Sequence, residues 1–404
     1  MSRFRFELPD LRRLPGLMRP EPFREGDLGY VPRRERLRPF NHVEPLVGGR
    51  EAFPAMLDAI RTARRRVHLE MYIFEDDRTG REFQQAFIER AKAGVEARVL
   101  VDGLGSFALS AKFLDALRAA GVEVQVFHPV APWRRRWGLN RRDHQKLLIV
   151  DDELAFCGGI NLADEYQPIE KGGGGWHDMH ARVEGPAVFD IARLFRETWI
   201  ETGGAPFPEP ELPAPRPDLP AHKALVEVIS NERLRARSRM RSAYLHAIRR
   251  AEHTISIMNA YFIPDIGLRR AFGLAVKRGV DVRVIVPSAS DVAAVYYASR
   301  HLYARLLRRG VRIFEWPERM MHAKCGVIDG VWTTIGSYNL DRRSFLHNLE
   351  AGVVAIDRDL GARMQERFDR DIVACREVTL EEWNRRSKWQ QFLELFFYAF
   401  RYWL

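Results

Sequence analysis

The sequence predicts an α/β fold made of two similar halves, each with a mixed central sheet flanked by helices. Strand-like and helical stretches alternate on both sides of a proline-rich segment, and each half carries the same His-x-Lys motif late in its sequence. An internal duplication explains both observations. We therefore expect the halves to pack about a pseudo-twofold axis and to share one active site.

The strand-like stretches occur in the same order in each half. In the first half they are 67–74 and 95–101, separated by a helical stretch, and in the second half they are 254–262 and 280–286. Glycine marks the end of the helix that precedes the second strand of each pair, as is typical of a helix terminus. This alternation predicts layered α/β domains.

Breaks in composition divide the chain into five segments. Residues 1–42 are rich in arginine and predict a basic arm, for which a solvated tail is at least an equal alternative. Residues 203–221 contain seven prolines and predict a semi-rigid linker. The two domains are then 43–202 and 222–375, and an aromatic amphipathic tail covers 376–404.

The overall composition is that of a soluble globular protein with excess positive charge. Of 404 residues, 46% are hydrophobic and 29% charged, and the formal net charge is +10. This excludes disordered and collagen-like chains and favours nucleic acid, a phospholipid surface or a phosphorylated substrate as partner. Three widely spaced cysteines indicate a reducing compartment. No stretch approaches about 18 apolar residues, so we expect any membrane contact to be peripheral.

The strongest signal is a constellation that occurs twice. Its members are His144, Lys146, Asp151, Gly159 and Asn161 in the first half and His322, Lys324, Asp329, Ser337 and Asn339 in the second. The spacing from the histidine is the same in both copies: two residues to the lysine, seven to the aspartate and 17 to the asparagine. Because one His-x-Lys-x4-Asp match is expected by chance only about 0.01 times in such a chain, two copies are not an accident.

The apolar runs around each motif aspartate predict a β-hairpin, so that histidine and lysine project from the same strand face. Histidine can act as nucleophile or general acid near neutral pH, and lysine can neutralise phosphoryl oxygens. The glycine, serine and asparagine members are candidate hydrogen-bond donors. Asp151 and Asp329 are grouped with the catalytic motif, but they begin turns, so we assign them a structural role in the hairpin.

A catalytic histidine also needs an acceptor on its second ring nitrogen, which fixes the tautomer. Asp178 and Glu350 follow the two motifs at corresponding places and are the candidates. Two such half-sites facing each other could handle one phosphodiester, with one histidine attacking phosphorus and the other protonating the leaving alkoxide. The two lysines supply the positive field, so we expect no metal and no cofactor.

These residues resemble the phospholipase D superfamily, whose signature is this duplicated motif. From Val43 to about Cys375 the chain is similar to bacterial cardiolipin synthases, particularly the B type without amino-terminal transmembrane helices. The stretches that carry this resemblance are 70–74 with Glu70, 140–146, 176–178, 183–188, 261–264 and 336–344.

The resemblance implies that His144 is the nucleophile and His322 the acid and base. It implies transfer of a phosphatidyl group from one phosphatidylglycerol to a second, which gives cardiolipin and free glycerol, although another phospholipid could be the donor. The expected partners are anionic phospholipids and a membrane surface, with no obligatory nucleic acid. The expected location is the cytoplasmic side of a bacterial inner membrane.

Two basic or aromatic features suggest how the protein meets lipid. On a helix the tail places its apolar residues on one face, which fits either an interfacial helix or a helix packed on the protein's own core. These residues are Trp389, Phe392, Leu393, Phe396, Phe400 and Trp403. The stretch 132–137, with three arginines between two tryptophans, predicts a headgroup-binding loop.

Two other functions remain open at this point. A phosphodiesterase, acting as nuclease or lipid hydrolase, would use the same two histidines and pass the intermediate to water, and the positive charge would also suit DNA. The aromatic tail and the synthase-like flanking sequences weigh against it. A non-enzymatic anion-binding protein is the third class, and two intact motifs disfavour it.

Overall fold

The computed structural model describes residues 24–130, 141–216, 218–219, 221, 223–231, 239–317 and 319–401. The predicted headgroup-binding loop at 132–137, the first 23 residues of the predicted arm, and Trp403 lie outside the described residues.

The strands are β1 (Arg38–Val47), β2 (Arg66–Met71), β3 (Glu96–Asp102), β4 (Glu123–Phe127), β5 (Lys146–Val150), β6 (Leu154–Gly158), β7 (Met179–Glu184), β8 (Ala224–Ser230), β9 (Thr254–Asn259), β10 (Asp281–Pro287), β11 (Arg312–Trp316), β12 (Lys324–Ile328), β13 (Trp332–Gly336), β14 (Ala351–Ile356) and β15 (Arg376–Val378). The α-helices are α1 (Gly48–Thr62), α2 (Arg78–Lys92), α3 (Ala111–Ala119), α4 (Ala187–Glu201), α5 (Arg239–Arg250), α6 (Ile266–Lys277), α7 (Ala293–Arg300), α8 (Tyr303–Leu307), α9 (Arg342–Leu346), α10 (Arg358–Ala374), α11 (Leu380–Asn384) and α12 (Lys388–Ala399).

The strands form one continuous sheet in which the two halves run in mirrored order. The order is β15-β11-β10-β9-β12-β13-β14-β8-β1-β7-β6-β5-β2-β3-β4. Outward from the centre, β8-β14-β13-β12-β9-β10-β11 in the second half matches β1-β7-β6-β5-β2-β3-β4 in the first. Each half combines parallel pairs, such as β2 with β3, and antiparallel pairs, such as β5 with β6. The predicted duplicated α/β fold with mixed sheets is confirmed.

The centre of the sheet is formed by β1, which pairs antiparallel with β7 on one side and β8 on the other. This strand begins at Arg38, so the folded chain starts before the boundary predicted at Val43. The residues before it pack on the second half: Tyr30 Oη donates to Asp329 Oδ2 at 2.5 Å, and Arg358 Nη2 donates to Asp27 Oδ1 at 2.6 Å. Residues 24–42 are therefore part of the folded molecule rather than a solvated arm.

Phe207 and Glu211, in the described part of the proline-rich segment, lie against the first half. Phe207 is buried, and its ring contacts the guanidinium of Arg98 at 4.2 Å from the centroid. The backbone N–H of Glu211 donates to Asp152 Oδ2 at 3.1 Å. Proline fixes the backbone of this connection, and these contacts fix its path.

The tail forms β15, α11 and α12 on the outside of the second half, where β15 extends the sheet beside β11. One side of α12 packs inward, with Phe397 stacked on Tyr297 at 5.6 Å, while Trp389 and Phe392 are exposed. One side of the helix thus packs on the protein's own core, as one alternative for the tail expected, and the aromatic residues of the interfacial alternative are left exposed. Among the helices that the structure describes, none combines the length and the apolar character needed to cross a membrane.

Candidate active site

Two β-hairpins present the motif histidines and lysines. β5 pairs antiparallel with β6 and β12 with β13, and each lysine is the first residue of its hairpin. Lys146 Nζ donates to the backbone oxygen of His144 at 2.7 Å, and Lys324 Nζ donates likewise to the backbone oxygen of His322. Both lysines are buried. The predicted hairpins are confirmed, and each ammonium group is held beside its histidine.

Each histidine contacts the carboxylate of the other half. His144 Nδ1 lies 3.0 Å from Glu350 Oε2, and His322 Nδ1 lies 2.8 Å from Asp178 Oδ2. Both carboxylates are fully buried. With Nδ1 occupied, Nε2 is the ring nitrogen of each histidine that is left for a substrate. The sequence identified both acids, and the structure shows that they are exchanged between the halves.

Backbone hydrogen bonds also connect each histidine to the opposite half. The N–H of His144 donates to the oxygen of Leu349 at 2.9 Å, and the N–H of His322 donates to the oxygen of His177 at 2.7 Å. In each case the acceptor immediately precedes the carboxylate that the histidine contacts. Residues 143 and 349, and residues 177 and 321, form parallel bridges between the halves. The pseudo-twofold arrangement therefore fixes both histidines against both carboxylates.

The predicted donors Gly159 and Ser337 support these carboxylates. A Cβ at Gly159 would lie only 2.3 Å from Asp178 Oδ1, so glycine is needed to admit the aspartate. At the equivalent place in the second half, Ser337 Oγ donates to Glu350 Oε2. The backbone N–H of Gly159 is bonded to the oxygen of Met179 at 2.9 Å. Of the substrate-binding and supporting roles considered for these residues, the contacts fit the supporting one: Gly159 leaves room for Asp178, and Ser337 donates to Glu350.

The two motif asparagines differ, because the side chain of Asn161 is bonded within the protein, whereas the buried Oδ1 of Asn339 has no hydrogen-bond partner among the described residues. Asn161 Nδ2 donates to Tyr166 Oη at 2.8 Å, and Asn161 Oδ1 accepts the backbone N–H of Ile73 at 3.1 Å. The backbone N–H of Asn339 donates to Ser344 Oγ at 3.3 Å. Asn161 thus holds the end of β2 and a tyrosine beside His322, rather than pointing a donor at a substrate.

Tyrosines at the site were missed in the sequence. The ring of Tyr72 lies 4.7 Å from that of His144, and Lys146 Nζ lies 4.9 Å from the Tyr72 centroid. In the second half Tyr261 lies 6.1 Å from the ring of His322, one position further along than the register of Tyr72. A third tyrosine, Tyr166, places its hydroxyl 3.1 Å from His322 Nδ1. A tyrosine within two residues of the end of both β2 and β9 was the signal that could have identified Tyr72 and Tyr261.

Burial and the clustered cations depress the basicity of the site. Burial, reinforced by Lys146 and Lys324, holds the pKa of His144 well below its ordinary value. Burial and Lys324 also lower the pKa of His322, while its bond to Asp178 acts in the opposite direction. Burial lowers the pKa of Lys146 to about 7 and that of Lys324 to about 8. Of the two imidazoles, His144 is thus the one held neutral, with no carboxylate effect opposing the fall of its pKa, and the lysine ammonium groups beside it suit an anionic phosphodiester.

The two carboxylates differ in their ionisation. Burial raises the pKa of Glu350 to about 7, against the opposing effects of Lys146 and Ser337. At Asp178 burial acts in the same direction, but Lys324 and the bond to His322 outweigh it, so its pKa lies below the ordinary value. Asp178 is therefore ionised at neutral pH, whereas Glu350 changes ionisation there.

Asp151 and Asp329 lie at the far ends of the strands that begin with the lysines. Asp151 accepts the backbone N–H groups of residues 64–66 at 2.7–2.9 Å, and Asp329 accepts those of residues 252–254 at 2.7–2.8 Å. A five-residue strand separates each from its lysine, a distance of about 16 Å. Asp151 and Asp329 are therefore too far from the lysines to belong with the catalytic residues. Their contacts with backbone N–H groups fit the structural role predicted for them.

Glu70 occupies the interior behind His144. Its Oε1 accepts from Gln145 Nε2 at 3.0 Å, and both residues are fully buried. Asp143, also fully buried, has a pKa raised to about 7 by burial. Met258 and Met321 are the equivalents of Glu70 and Asp143 in the second half, so the first half alone carries carboxyl groups at these two positions.

The fold and the paired site define a class of two-histidine phosphodiester enzymes in which both halves of one chain build a single centre. A family model described as "Cardiolipin synthase, PLD-like domain" matches residues 56–168 and 244–372. The chain belongs to this cardiolipin synthase family of phospholipase D-like proteins.

Named relatives agree with this assignment. Cardiolipin synthase A of Pseudomonas syringae is 34% identical over 353 residues, which cover 87% of this chain and 72% of the relative. Cardiolipin synthase 2 of Bacillus anthracis is 32% identical over 349 residues, covering 86% and 68%. The crystal structure of phosphatidylserine synthase from Haemophilus influenzae has a TM-score of 0.64 at 14% identity, covering 89% of this chain and 93% of that one. The last comparison shows a common fold.

Proposed function

We propose that the protein is a cardiolipin synthase that transfers a phosphatidyl group from one phosphatidylglycerol to a second through a phosphohistidine. The observation that carries the proposal is the exchanged pairing of His144 with Glu350 and His322 with Asp178, which gives two oriented imidazoles in one site. The Pseudomonas syringae and Bacillus anthracis relatives are cardiolipin synthases. Their similarity over most of the chain supports the same substrate class here.

In the first step the Nε2 lone pair of His144 attacks phosphorus, and the bond from phosphorus to the glycerol oxygen breaks. The depressed pKa of His144 supports this role, because a nucleophilic imidazole must be unprotonated. His322 gives its Nε2 proton to the leaving alkoxide. Ionised Asp178 on Nδ1 stabilises the imidazolium form that this step requires.

In the second step the hydroxyl of another phosphatidylglycerol enters where glycerol left. His322 Nε2 takes its proton, the hydroxyl oxygen attacks phosphorus, and the bond from phosphorus to nitrogen breaks, which returns the electron pair to His144. Lys146 and Lys324 face the charge that builds on the phosphoryl oxygens. Water in place of the second lipid would give phosphatidic acid, so exclusion of water decides between transfer and hydrolysis.

The reaction places the protein at a lipid surface. We propose that it is peripheral, on the cytoplasmic side of a bacterial inner membrane, with anionic phospholipids as its partners. The formal net charge of +10 supports attraction to such a surface.

The test is to incubate the pure protein with phosphatidylglycerol vesicles and to resolve the products. We expect cardiolipin and free glycerol in equal amounts. Phosphatidic acid as the main product would instead support a hydrolase, and no turnover would contradict both functions.

A further inference from the structure

The outer face of α12 carries an unpartnered stripe of aromatic rings, which we call the aromatic stripe: Trp389, Phe392, Phe396 and Phe400. Trp389 is 66% exposed and Phe396 46% exposed. Successive ring centroids are 5.5, 6.3 and 5.2 Å apart, so the rings form one continuous row. Exposed aromatic rows of this kind are typical of helices that lie in a membrane interface.

The opposite side of α12 is anchored to the second half. Glu394 is buried, and its Oε2 accepts from Arg386 Nη2 at 3.0 Å. Phe397 stacks on Tyr297 of α7 at 5.6 Å. The helix is therefore held in place by polar and aromatic contacts, and the stripe is left outward by the packing rather than by a loose attachment.

A group of arginines, the arginine cluster, lies at the end of α12 and consists of Arg269, Arg305 and Arg401. Arg269 Nη1 donates to Tyr398 Oη at 3.1 Å, and the Arg401 guanidinium lies 4.6 Å from the centroid of the Tyr398 ring. The other face of Tyr398 is stacked on His301 at 4.5 Å. Burial, together with the charges of Arg305 and Arg269 and of two further arginines, lowers the pKa of His301 to about 4. Positive charge is thus concentrated beside Phe400.

Two members of the arginine cluster lack an acidic partner. Within the described residues, no carboxylate lies within salt-bridge distance of Arg269 or Arg305, although Arg269 is buried. By contrast, Arg386 is paired with Glu394, and Arg300 with Glu315 at 2.6 Å. The charge of Arg269 is therefore not neutralised by a described carboxylate, and it reinforces the positive potential around the exposed Arg305.

The α12 surface is continuous with one wall of the active site. Tyr261, beside the ring of His322, donates its hydroxyl to Asp291 Oδ1 at 2.7 Å. Asp291 lies two residues before the start of α7, and Tyr297 of α7 contacts Phe397 of α12. A lipid surface held by α12 would therefore lie next to the second half of the active site, where the acceptor hydroxyl must arrive.

We propose that the aromatic stripe and the arginine cluster together bind the surface of an anionic phospholipid bilayer, at a site separate from the catalytic histidines. The stripe enters the interface, and the exposed Arg305 contacts lipid phosphates, while the buried charge of Arg269 adds to the positive potential there. This proposal rests on the proposed function in its choice of a phospholipid as occupant. The unpaired charge of Arg269 and Arg305 favours an anionic bilayer over a second copy of this chain, which carries the same positive charge on this face.

The experiment measures flotation of the full chain with phosphatidylcholine vesicles, with and without phosphatidylglycerol. One variant combines Trp389→Ser, Phe396→Ser and Phe400→Ser, and a second is Arg305→Gln. The matched controls are Val373→Ser, an exposed apolar residue on α10, and Arg64→Gln, an exposed arginine in the first half. Thermal melting of each variant checks that it is folded.

We expect the triple variant to lose about 10-fold or more in affinity for anionic vesicles because its interfacial rings are gone. Arg305→Gln should lose about fivefold, the effect of one basic side chain near an anionic surface, and only on vesicles that contain phosphatidylglycerol. Both controls should bind like the wild type.

Wild-type affinity in the folded triple variant would overturn the proposal. So would a change from dimer to monomer in the triple variant with unaltered vesicle binding, since the stripe would then be covered by a second copy. Cardiolipin formation by the wild type in detergent micelles tests the proposed function separately. Vesicle binding that depends on the aromatic stripe, without cardiolipin formation, would contradict the proposed function and support the proposed bilayer-binding surface.

Discussion

The two halves of this molecule share one topology but support their histidines differently. In the first half Asp178 fits beside Gly159, stays ionised and serves His322, whereas in the second half the longer Glu350 is bound by Ser337, has a raised pKa and serves His144. A duplicated fold thus gives two similar imidazoles with unequal partners. The difference teaches that the symmetry positions the groups, while the unlike residues at these four positions give the two histidines unequal carboxylate partners.

The largest expected effect comes from removing either histidine. His144→Ala and His322→Ala should each reduce transfer about 1000-fold or more. The two should separate on a phosphatidyl ester of 4-nitrophenol, whose leaving group needs no proton. His322→Ala should regain most of the first-turnover release of nitrophenol, because formation of the phosphohistidine then needs no general acid.

On the same substrate His144→Ala should stay inactive, since the attack on phosphorus is lost. Recovery by His144→Ala and not by His322→Ala, measured by nitrophenol release, would exchange the two roles.

The exchanged pairing predicts the second largest effects. Asp178→Asn and Glu350→Gln should each lower kcat/KM about 100-fold, because each removes the acceptor that fixes one tautomer. Combining Glu350→Gln with His144→Ala should cost no more than His144→Ala alone, and Asp178→Asn should behave likewise with His322→Ala. If instead Glu350→Gln proved silent on top of His322→Ala, each acid would serve its own half and the exchange would be wrong.

The unequal pKa values of Glu350 and Asp178 predict that the fall of kcat/KM at acidic pH is caused by Glu350 alone. Burial raises the pKa of Glu350 to about 7, so as pH falls through 7 this group takes a proton and no longer accepts from His144 Nδ1. We expect kcat/KM to fall about tenfold per pH unit below this point. Asp178, whose pKa is lowered, stays ionised over the same range.

The measurement is a pH profile of kcat/KM for the wild type and for both carboxylate variants. Glu350→Gln should abolish the acidic decline, and Asp178→Asn should retain it. A decline that persists in Glu350→Gln would refute this assignment. As pH rises through about 7 and then about 8, Lys146 and Lys324 lose their protons, and the same profile should fall again.

The smallest effects are expected at the hairpin aspartates, which should behave alike in the two halves. Asp151→Asn and Asp329→Asn each weaken the binding of three backbone N–H groups, and each should lower the free energy of unfolding by about 1–3 kcal/mol. Urea denaturation measures this, with Asp115→Asn on the surface of α3 as control. A large loss of kcat at unchanged stability would return these aspartates to the catalytic group.

The sequence predicted the features that depend on local pattern. Equal spacing within each motif predicted two equivalent hairpins, because apolar runs on both sides of a turn fix the strand pairing over a few residues. The same equality predicted the duplication and the mirrored halves. Asp178 and Glu350 were found because a catalytic imidazole needs an acceptor, which is a chemical requirement and not a structural one.

The features that were missed depend on contacts between distant parts of the chain. His144 and Glu350 are 206 positions apart, and no spacing rule reveals which half supplies the acceptor. Tyr30 reaches Asp329 across 299 positions, so a segment that looks like a solvated arm is folded. The polar groups of Asn161 and Gly159 were considered as substrate donors. In the structure Asn161 bonds Tyr166 and Ile73, and the N–H of Gly159 bonds Met179.

Chemical mapping of the covalent intermediate tests the central claim most directly. The pure protein is mixed with phosphatidylglycerol labelled in its phosphate, quenched within one turnover, and digested at alkaline pH, which preserves phosphohistidine, for mass spectrometry. We predict a phosphatidyl group on His144, formed together with one equivalent of glycerol, and absent from His144→Ala. A label on His322, or cardiolipin formed without any histidine adduct in His144→Ala, would contradict the account.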